Sequence, residues 1–565
     1  MLTVPDKGMT STRWIYQGHD LCFHVYHQDH WHTEMMTAVN YKKHISQKTS
    51  ADRSFSLFPR FNSHTDFIEK ILNMAYLQST CKYPRFIIPF VVLLVLAGLT
   101  HINVSFAREP LDKPNIIIFF VDDAGYGDFS HNGNPTIATT NISRLAHKGV
   151  NFTQFYTSSP ACSASRYSLL TGRFPARSGL GKWVIGPKSP RYLHPDELTL
   201  AEGFQSQGYA TAIFGKWHLG NANENNQMSS DSLPLAHGFE EWIGTNVSHD
   251  YNDAKLIKSD PQGNHPVSGY TELANHLPTN AEASEQLTGL YTDAAVRFVA
   301  RNKDRPFFAY IAHNQPHLAL FASAPFKGRS RRGLLGDVME EIDDSVGRVL
   351  AAIKKAGIEE NTIIIFSSDN GPWLRFKNTK AHKKYGEARM HIGNAYPFRD
   401  GKGSTWEGGY RVPGIFYWPG VIEGNQMVRS PVSTLDILPT LFKLVGVEIP
   451  ADHSIDGRDI RPYLNAKRFQ GEVKPFIHLY SYIDNRVSAI RQGPWKLSVE
   501  IGSQLGENYG FTASYSHPLL FQVEQDLGER IDRASEYPKV VTRMMKTLRS
   551  YENRIHESGN FWTKK

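Results

Sequence analysis

Apolar runs without polar interruption alternate with helical periods through the middle of the chain. Asn115 to Val121 (NIIIFFV) has the pattern of a strand buried on both faces of a parallel sheet. Similar runs recur at Ala210 to Phe214, Pro306 to Ala312 and Thr362 to Phe366. Between them Asn141 to Gly149, Leu198 to Gly208, Glu285 to Arg301 and Leu334 to Gly357 read as helices. In the last, Val338, Ile342, Val346, Leu350 and Ile353 fall three or four apart and form one apolar face. Strand and helix in alternation predict an α/β domain, a doubly wound and mostly parallel sheet flanked by helices, closed by a helix over Leu435 to Val445. From about Val473 the pattern changes to short alternating runs at Pro475 to Tyr482, Val487 to Arg491 and Trp495 to Val499, then a helix over Tyr537 to Ile555. The expected division is a large domain over 108–470 and a smaller α+β domain with a short antiparallel sheet over 471–565.

The longest apolar run, Phe86 to Thr100, follows Lys82 and Arg85 and precedes Val104-Ser105-Phe106-Ala107. That is the layout of a secretory signal peptide over 74–107, with Met74 placed as an alternative start. The run is shorter than the ~20 residues of a membrane-crossing helix, so no stable span is expected and the protein is read as exported, to a periplasmic, secreted or lysosomal-type compartment. Residues 1–73 are rich in histidine and aromatics without a sustained helical or strand period, which suggests a gene-model extension or a disordered segment.

Composition narrows the class further. Hydrophobic residues at 40% and charged residues at 21% fit an ordinary globular protein, and the formal charge of +7 is mild for 565 residues. The basic runs Lys327 to Arg332 and Lys377 to Lys384 are short and loop-like, so no nucleic-acid partner is expected. Three cysteines, Cys22, Cys81 and Cys162, exclude a disulfide-stapled scaffold. Cleavage after Ala107 would leave Cys162 as the sole thiol, which then needs an intermolecular partner or a chemical task.

Two strand ends are acidic, Asp122-Asp123 after NIIIFFV and Asp369-Asn370 after TIIIFSS. In an open α/β sheet ligands collect beyond the carboxyl ends of the strands, and four oxygen-bearing side chains there suit a hard cation such as calcium. Either pair alone would read as helix capping or turn formation. Cys162 opens the string CSASRYSLLTGR, whose residues Ser163 to Leu170 predict the first turns of a helix. Free N–H groups and the dipole at that end attract anions, and Arg166, four residues on, faces the same way. On the cysteine alone, a buried small hydrophobe is the simpler reading.

The string resembles the signature of the type I, formylglycine-dependent sulfatases, in which a cysteine followed by x-Pro or Ala-x-Arg is oxidised to Cα-formylglycine. PNIIIFFVDDAGYGD (114–128), FGKWHLG (214–220), Gln315-Pro316-His317, FSSDNGPW (366–373) and GKGSTWEGGYRVPG (401–414) extend the likeness in order, with the arylsulfatase A and N-acetylgalactosamine-6-sulfatase branch the most similar. The resemblance implies an alkaline-phosphatase-like fold and one calcium ion on Asp122, Asp123, Asp369 and Asn370. It also implies that Arg166 and Lys216 hold the hydrate of the formylglycine made from Cys162, that His218 is its base, and that His317 and Lys402 stand by the leaving oxygen, with His317 the proton donor. A sulfated small molecule or saccharide is the expected substrate, and a formylglycine-generating or anaerobic sulfatase-maturating enzyme the expected partner. Ala164 stands where proline is usual, a variant more typical of the oxygen-independent maturation route.

Other readings stay open at this level. A phosphonate monoester or phosphodiester hydrolase of the same superfamily would share the charge arrangement, and an unconverted Cys162 would leave a binder of sulfated glycans. Trp373, Tyr396, Trp406 and Tyr410 lie near the motifs, where they could stack on sugar faces or serve as packing. Asn103, Asn141, Asn151 and Asn246 lie in N-x-Ser/Thr sequences.

Overall fold

The computed structural model describes residues 113–562, apart from 181–183, 224, 264, 266, 375–390, 483–485 and 504–510, together with three strand segments near the N terminus. The expected signal peptide and the run Lys377 to Lys384 lie outside the described residues. The chain divides into two compact units, Met1–Val104 and Ser105–Lys565. In the first, Thr12–Gln17, Asp20–His27 and His30–Met36 pair as an antiparallel sheet. Aromatic and β-branched residues such as Trp14, Ile15, Tyr16, Phe23 and Val25 favour a strand even where intervening histidines obscure the alternation.

The second unit is organised by a ten-stranded sheet. From edge to edge it runs Tyr270–Ala274, Leu256–Ser259, Glu241–Thr245, Ala210–Gly215, Phe307–Ala312, Asn115–Val121, Thr362–Ser368, Gly414–Tyr417, Val150–Phe152 and Gln426–Val428. The five strands from Glu241–Thr245 to Thr362–Ser368 are mutually parallel. Antiparallel pairings flank them on both sides. Alternate side chains of the central strand enter different cores, as a period of two demands. Ile116, Ile118 and Phe120 pack with Tyr167, Leu169, Leu170, Phe204 and Leu441, while Ile117, Phe119 and Val121 pack with Leu145, Phe298, Val338, Ile342 and Val346. Helices Cys162–Thr171, Leu200–Ser206 and Ile437–Val445 therefore cover one face, and Thr140–Lys148, Leu287–Asn302 and Leu334–Ala356 the other. The doubly wound expectation holds, with the antiparallel edge strands as its addition.

Toward the C terminus Ile477–Tyr482, Arg486–Gln492, Trp495–Ser503 and Phe511–Gln522 form a four-stranded antiparallel sheet. Helix Pro538–Ser558 covers it, burying Met544 and Leu548 against Leu479, Ile490, Leu497 and Leu520. The last strand was not apparent from the pattern because Pro518 and a run of small and polar residues interrupt its alternation.

A buried charge cluster joins this sheet to the large one. Lys496 Nζ lies 2.6 Å from Glu529 and 3.3 Å from Glu407, and donates to the carbonyl of Thr405 at 2.7 Å. Glu407 also accepts from the Tyr156 and Tyr480 hydroxyls. His478, fully buried, stands among Tyr156, Tyr410, Phe476 and Tyr480.

Candidate active site

The register of the two central strands creates the site. Val121 pairs with Ser368, so Asp122-Asp123 and Asp369-Asn370 leave adjacent parallel strands side by side. The Asp123 amide donates to Asp369 Oδ1 at 3.1 Å, and Asn370 Nδ2 donates to Asp123 Oδ1 at 2.7 Å. Asp123 takes a left-handed backbone, φ 66°, as does His218 at φ 56°. Such values are uncommon outside glycine and are held here by the surrounding hydrogen bonds.

Cys162 is the first residue of helix Cys162–Thr171, every residue of which is buried. Its Sγ approaches Asp123 Oδ1 at 3.9 Å, and one ligand atom from each of Asp122, Asp123, Cys162 and Asp369 falls within 4.8 Å of the others. Arg166 reaches from the next turn of the helix and gives two hydrogen bonds to Asp369 Oδ2, at 3.1 and 2.7 Å, with Asp122 Oδ1 at 3.5 Å. Tyr310 and Phe120 support the guanidinium, at 3.4 Å from the hydroxyl and 5.6 Å from the ring centroid. Tyr310 lies outside the motifs, and only the topology brings it to Arg166 beside Phe120.

Lys216 and His218 follow the strand Ala210–Gly215, where the backbone crosses the ends of its neighbours. The Lys216, Trp217 and His218 amides donate to the carbonyls of Ala312, Thr245 and Asn246. A side chain at Gly215 (φ 125°) would put its Cβ 1.9 Å from the Ala312 carbonyl oxygen, so the crossing requires glycine. Lys216 Nζ donates to Asp122 Oδ2 at 2.5 Å. Lys402 Nζ donates to Asp123 Oδ2 at 2.9 Å and lies 4.9 Å from the Trp373 ring centroid. His317 Nε2 stands 3.6 Å from Asp123 Oδ2, while its Nδ1 bonds the Leu318 carbonyl. Nine of the ten sequence-predicted residues are thus joined by contacts in one buried cluster, and His218, also buried, feels the charges of Lys216, Asp122 and Arg166.

Electrostatics tie the cluster together. Burial acts to raise the Asp122 carboxyl, but Lys216, His317, Arg166 and Lys402 outweigh it and hold the group well below the usual range. Burial, with the Asp122 charge, pushes Asp369 up to about 7. Burial and the neighbouring Asp122 raise the Cys162 thiol well above normal, the reverse of an activated thiolate nucleophile. Burial and Lys216 keep His218 neutral, and neither ring nitrogen has a hydrogen-bond partner.

The oxygen atoms fit a hard cation. Asp122 Oδ1 and Asn370 Oδ1 are buried without hydrogen-bond partners, a costly state for polar atoms unless a ligand completes them. Of the four aromatic residues near the motifs, Trp406 and Tyr410 are buried, and the Tyr410 hydroxyl donates to the Ser481 carbonyl. Trp373 lies against His317 and Lys402, and Tyr396 is 74% exposed. His249, which no motif indicated, sits 5.7 Å from the His317 ring. The side chains of Asn141 and Asn246 are engaged by Asp343 and Asn221. Among the described residues no helix is long and apolar enough to cross a membrane.

Comparison with known proteins gives a consistent result. The family model Sulfatase matches residues 114–447. Arylsulfatase of Hemicentrotus pulcherrimus is 35% identical over 424 residues, covering 73% of this chain and 72% of that protein. Arylsulfatase A of Bos taurus is 34% identical, covering 78% and 87%, and N-acetylgalactosamine-6-sulfatase of Mus musculus is 32% identical, covering 82% and 90%. Among solved structures, the PsFucS1 sulfatase from Pseudoalteromonas sp. superposes with a TM-score of 0.69 at 26% identity, covering 84% of this chain and 95% of that one. The Ps i-CgsB structure, in complex with a neocarrahexaose, has a TM-score of 0.59 at 26% identity, covering 78% and 92%.

Proposed function

Given that the chain belongs to the sulfatase family, on the arylsulfatase A and N-acetylgalactosamine-6-sulfatase branch, and is a sulfuric ester hydrolase, we propose that it acts on sulfated saccharides through a formylglycine made from Cys162, beside a calcium ion. The observation that carries this reading is the position of Cys162, at a helix N-terminus within 4.8 Å of three carboxylates. Asp122, Asp123, Asp369 and Asn370 would hold the cation. A hydrated formylglycine at Cys162 would supply a hydroxyl nucleophile and a second ionisable hydroxyl, and the cation would screen the charge of the sulfate oxygens.

The side chains do the rest. Arg166, Lys216 and Lys402 bring three fixed positive charges to the cluster, and an anionic ester approaching anionic oxygens needs them. Arg166 is aimed by its two bonds to Asp369 and cannot swing away without leaving that carboxylate buried and unpaired. His218 is neutral and unpartnered, the state required to accept a proton from the second hydroxyl, the one that does not attack sulfur. The Leu318 carbonyl fixes a proton on His317 Nδ1, leaving Nε2 to carry the proton delivered to the leaving oxygen. Lys402 stands where negative charge grows as the S–O bond breaks.

The saccharide reading draws on the relatives named for N-acetylgalactosamine-6-sulfatase and on the neighbour solved with a neocarrahexaose. Export through the leader 74–107 and maturation by a formylglycine-forming enzyme belong to the same proposal. Turnover of nitrophenyl sulfate against nitrophenyl phosphate, before and after chelation and with calcium restored, tests it. Sulfate is expected to be preferred and activity to follow calcium. Faster phosphate turnover, or full activity after exhaustive chelation, would contradict it.

A further inference from the structure

Helix Pro538–Ser558 is amphipathic, and its outer face is basic. Lys539, Arg543, Lys546, Arg549 and Arg554 stand against two carboxylates, Glu552 and Glu557. All five basic residues are exposed. By helical rise they form a strip about 22 Å long. Thr542, Lys546, Arg549, Asn553 and Glu557 follow at three- and four-residue steps and share one stripe.

Along that stripe runs an open groove of about 810 Å³, bounded on its far side by Pro518 of the neighbouring strand. Val541 and Met545 give it an apolar strip, Thr542, Ser550 and Asn553 give hydrogen-bonding groups, and Lys546, Arg549 and Arg554 give charge. Some exposed cations elsewhere find acids, as Lys327 does with Glu285, Arg348 with Asp293 and Lys467 with Glu423. Among the described residues the three cations of the groove make no such ion pair, and Glu557 is the one carboxylate in its lining. Arg554 is steadied by the Tyr551 ring, 4.0 Å beneath its guanidinium.

We propose that this groove is a second binding site, remote from the ester that is cleaved, for the sulfated and carboxylated part of a glycan chain. The proposal rests on the saccharide reading of the active site. Three cations against the one lining carboxylate, Glu557, leave net positive charge along the groove, which a polyanion neutralises. Guanidinium forks match tetrahedral oxyanions, and an apolar strip beside hydrogen-bond donors suits the two characters of a pyranose ring. Such a site would hold a polymer near the enzyme between cleavage events, by effective concentration.

The test uses the full chain, a fluorescent heparin decasaccharide, and anisotropy at two salt concentrations, with nitrophenyl sulfate turnover measured alongside. The variant Lys546→Ala/Arg549→Ala/Arg554→Ala keeps good helix formers at exposed positions. It should bind the decasaccharide about tenfold or more weakly and with less salt dependence, yet turn over nitrophenyl sulfate within about twofold of the parent. Glu557→Lys should tighten binding. Equal decasaccharide affinity in parent and triple variant would overturn the proposal. So would loss of binding to phosphatidylserine vesicles with heparin binding intact, which would make the groove a lipid site. Groove-dependent glycan binding in a chain that releases no sulfate would overturn the active-site reading and leave this one standing.

Discussion

Two clusters of buried charge lie in the same fold and are finished differently. Around Lys496, the carboxylates of Glu407 and Glu529 close on one ammonium, and Tyr156 and Tyr480 donate to Glu407. The charges there face inward on one another and hold the C-terminal sheet to the segment that carries Thr405 and Glu407. Both clusters keep atoms without hydrogen bonds, but around Lys496 these are Glu529 Oε1, which faces the ammonium at 2.6 Å, and the His478 ring, enclosed by aromatic side chains, whereas around Cys162 they are Asp122 Oδ1, Asn370 Oδ1 and both His218 nitrogens, with the two oxygens at adjacent strand ends. A fold can bury several charges for cohesion if each is answered. Oxygens left unanswered at two adjacent strand ends, among further oxygen-bearing side chains, mark a place that a hard cation would complete.

The sharpest separation of the two is chemical. Cys162→Ser should lower sulfate release by about 10⁴-fold or more, the order of loss when a nucleophile is removed, with the thermal midpoint little changed. A variant that keeps a tenth of the parent rate would take the nucleophile away from this position. Lys496→Met should do the opposite. It strands two buried carboxylates and is expected to cost about 3–5 kcal/mol in urea unfolding, while the protein that remains folded keeps its specific activity. Unchanged stability would mean that Glu407 and Glu529 are not held by this lysine.

A smaller effect lies in the joining cluster's own histidine. Burial lowers His478 to about 3, so the folded protein keeps it neutral while the unfolded chain takes up a proton near pH 6.5. Its contribution is therefore fully present above about pH 6.5 and is lost progressively as pH falls toward 3. His478→Phe removes that liability and fits the surrounding aromatic rings. Relative to the parent it should gain about 2 kcal/mol between pH 6.5 and pH 5, read from urea midpoints at the two values. A difference between the two proteins that does not change with pH would mean that His478 is not kept neutral.

Part of the candidate site was legible in the sequence because its acidic residues sit at strand ends, which apolar runs announce, while Lys216, His218, His317 and Lys402 were indicated only by the family resemblance. NIIIFFV and TIIIFSS declare themselves as buried strands, and their termini are where Asp122, Asp123, Asp369 and Asn370 must emerge. Their adjacency was not legible, because it depends on which strands pair. The joining cluster was not legible as a cluster: Glu407 lies in the stretch 401–414, but Lys496 is 89 residues away and reads locally as an ordinary charged residue. Tyr310 and Phe120, which hold Arg166, look like any aromatic in a buried strand. The outer strands Gly414–Tyr417, Val150–Phe152 and Gln426–Val428 are too short to carry a period of their own and exist because the central sheet offers them a partner.

The central claim is that Cys162 does not act as a thiol. Mass analysis of the tryptic peptide ending at Arg166, on active protein fractionated by specific activity, tests it directly. The account predicts that the fraction of this peptide carrying an aldehyde, or its hydrate, in place of the thiol rises in proportion to sulfate release and falls to zero in inactive fractions. Full activity in protein whose Cys162 is entirely unmodified thiol would contradict it.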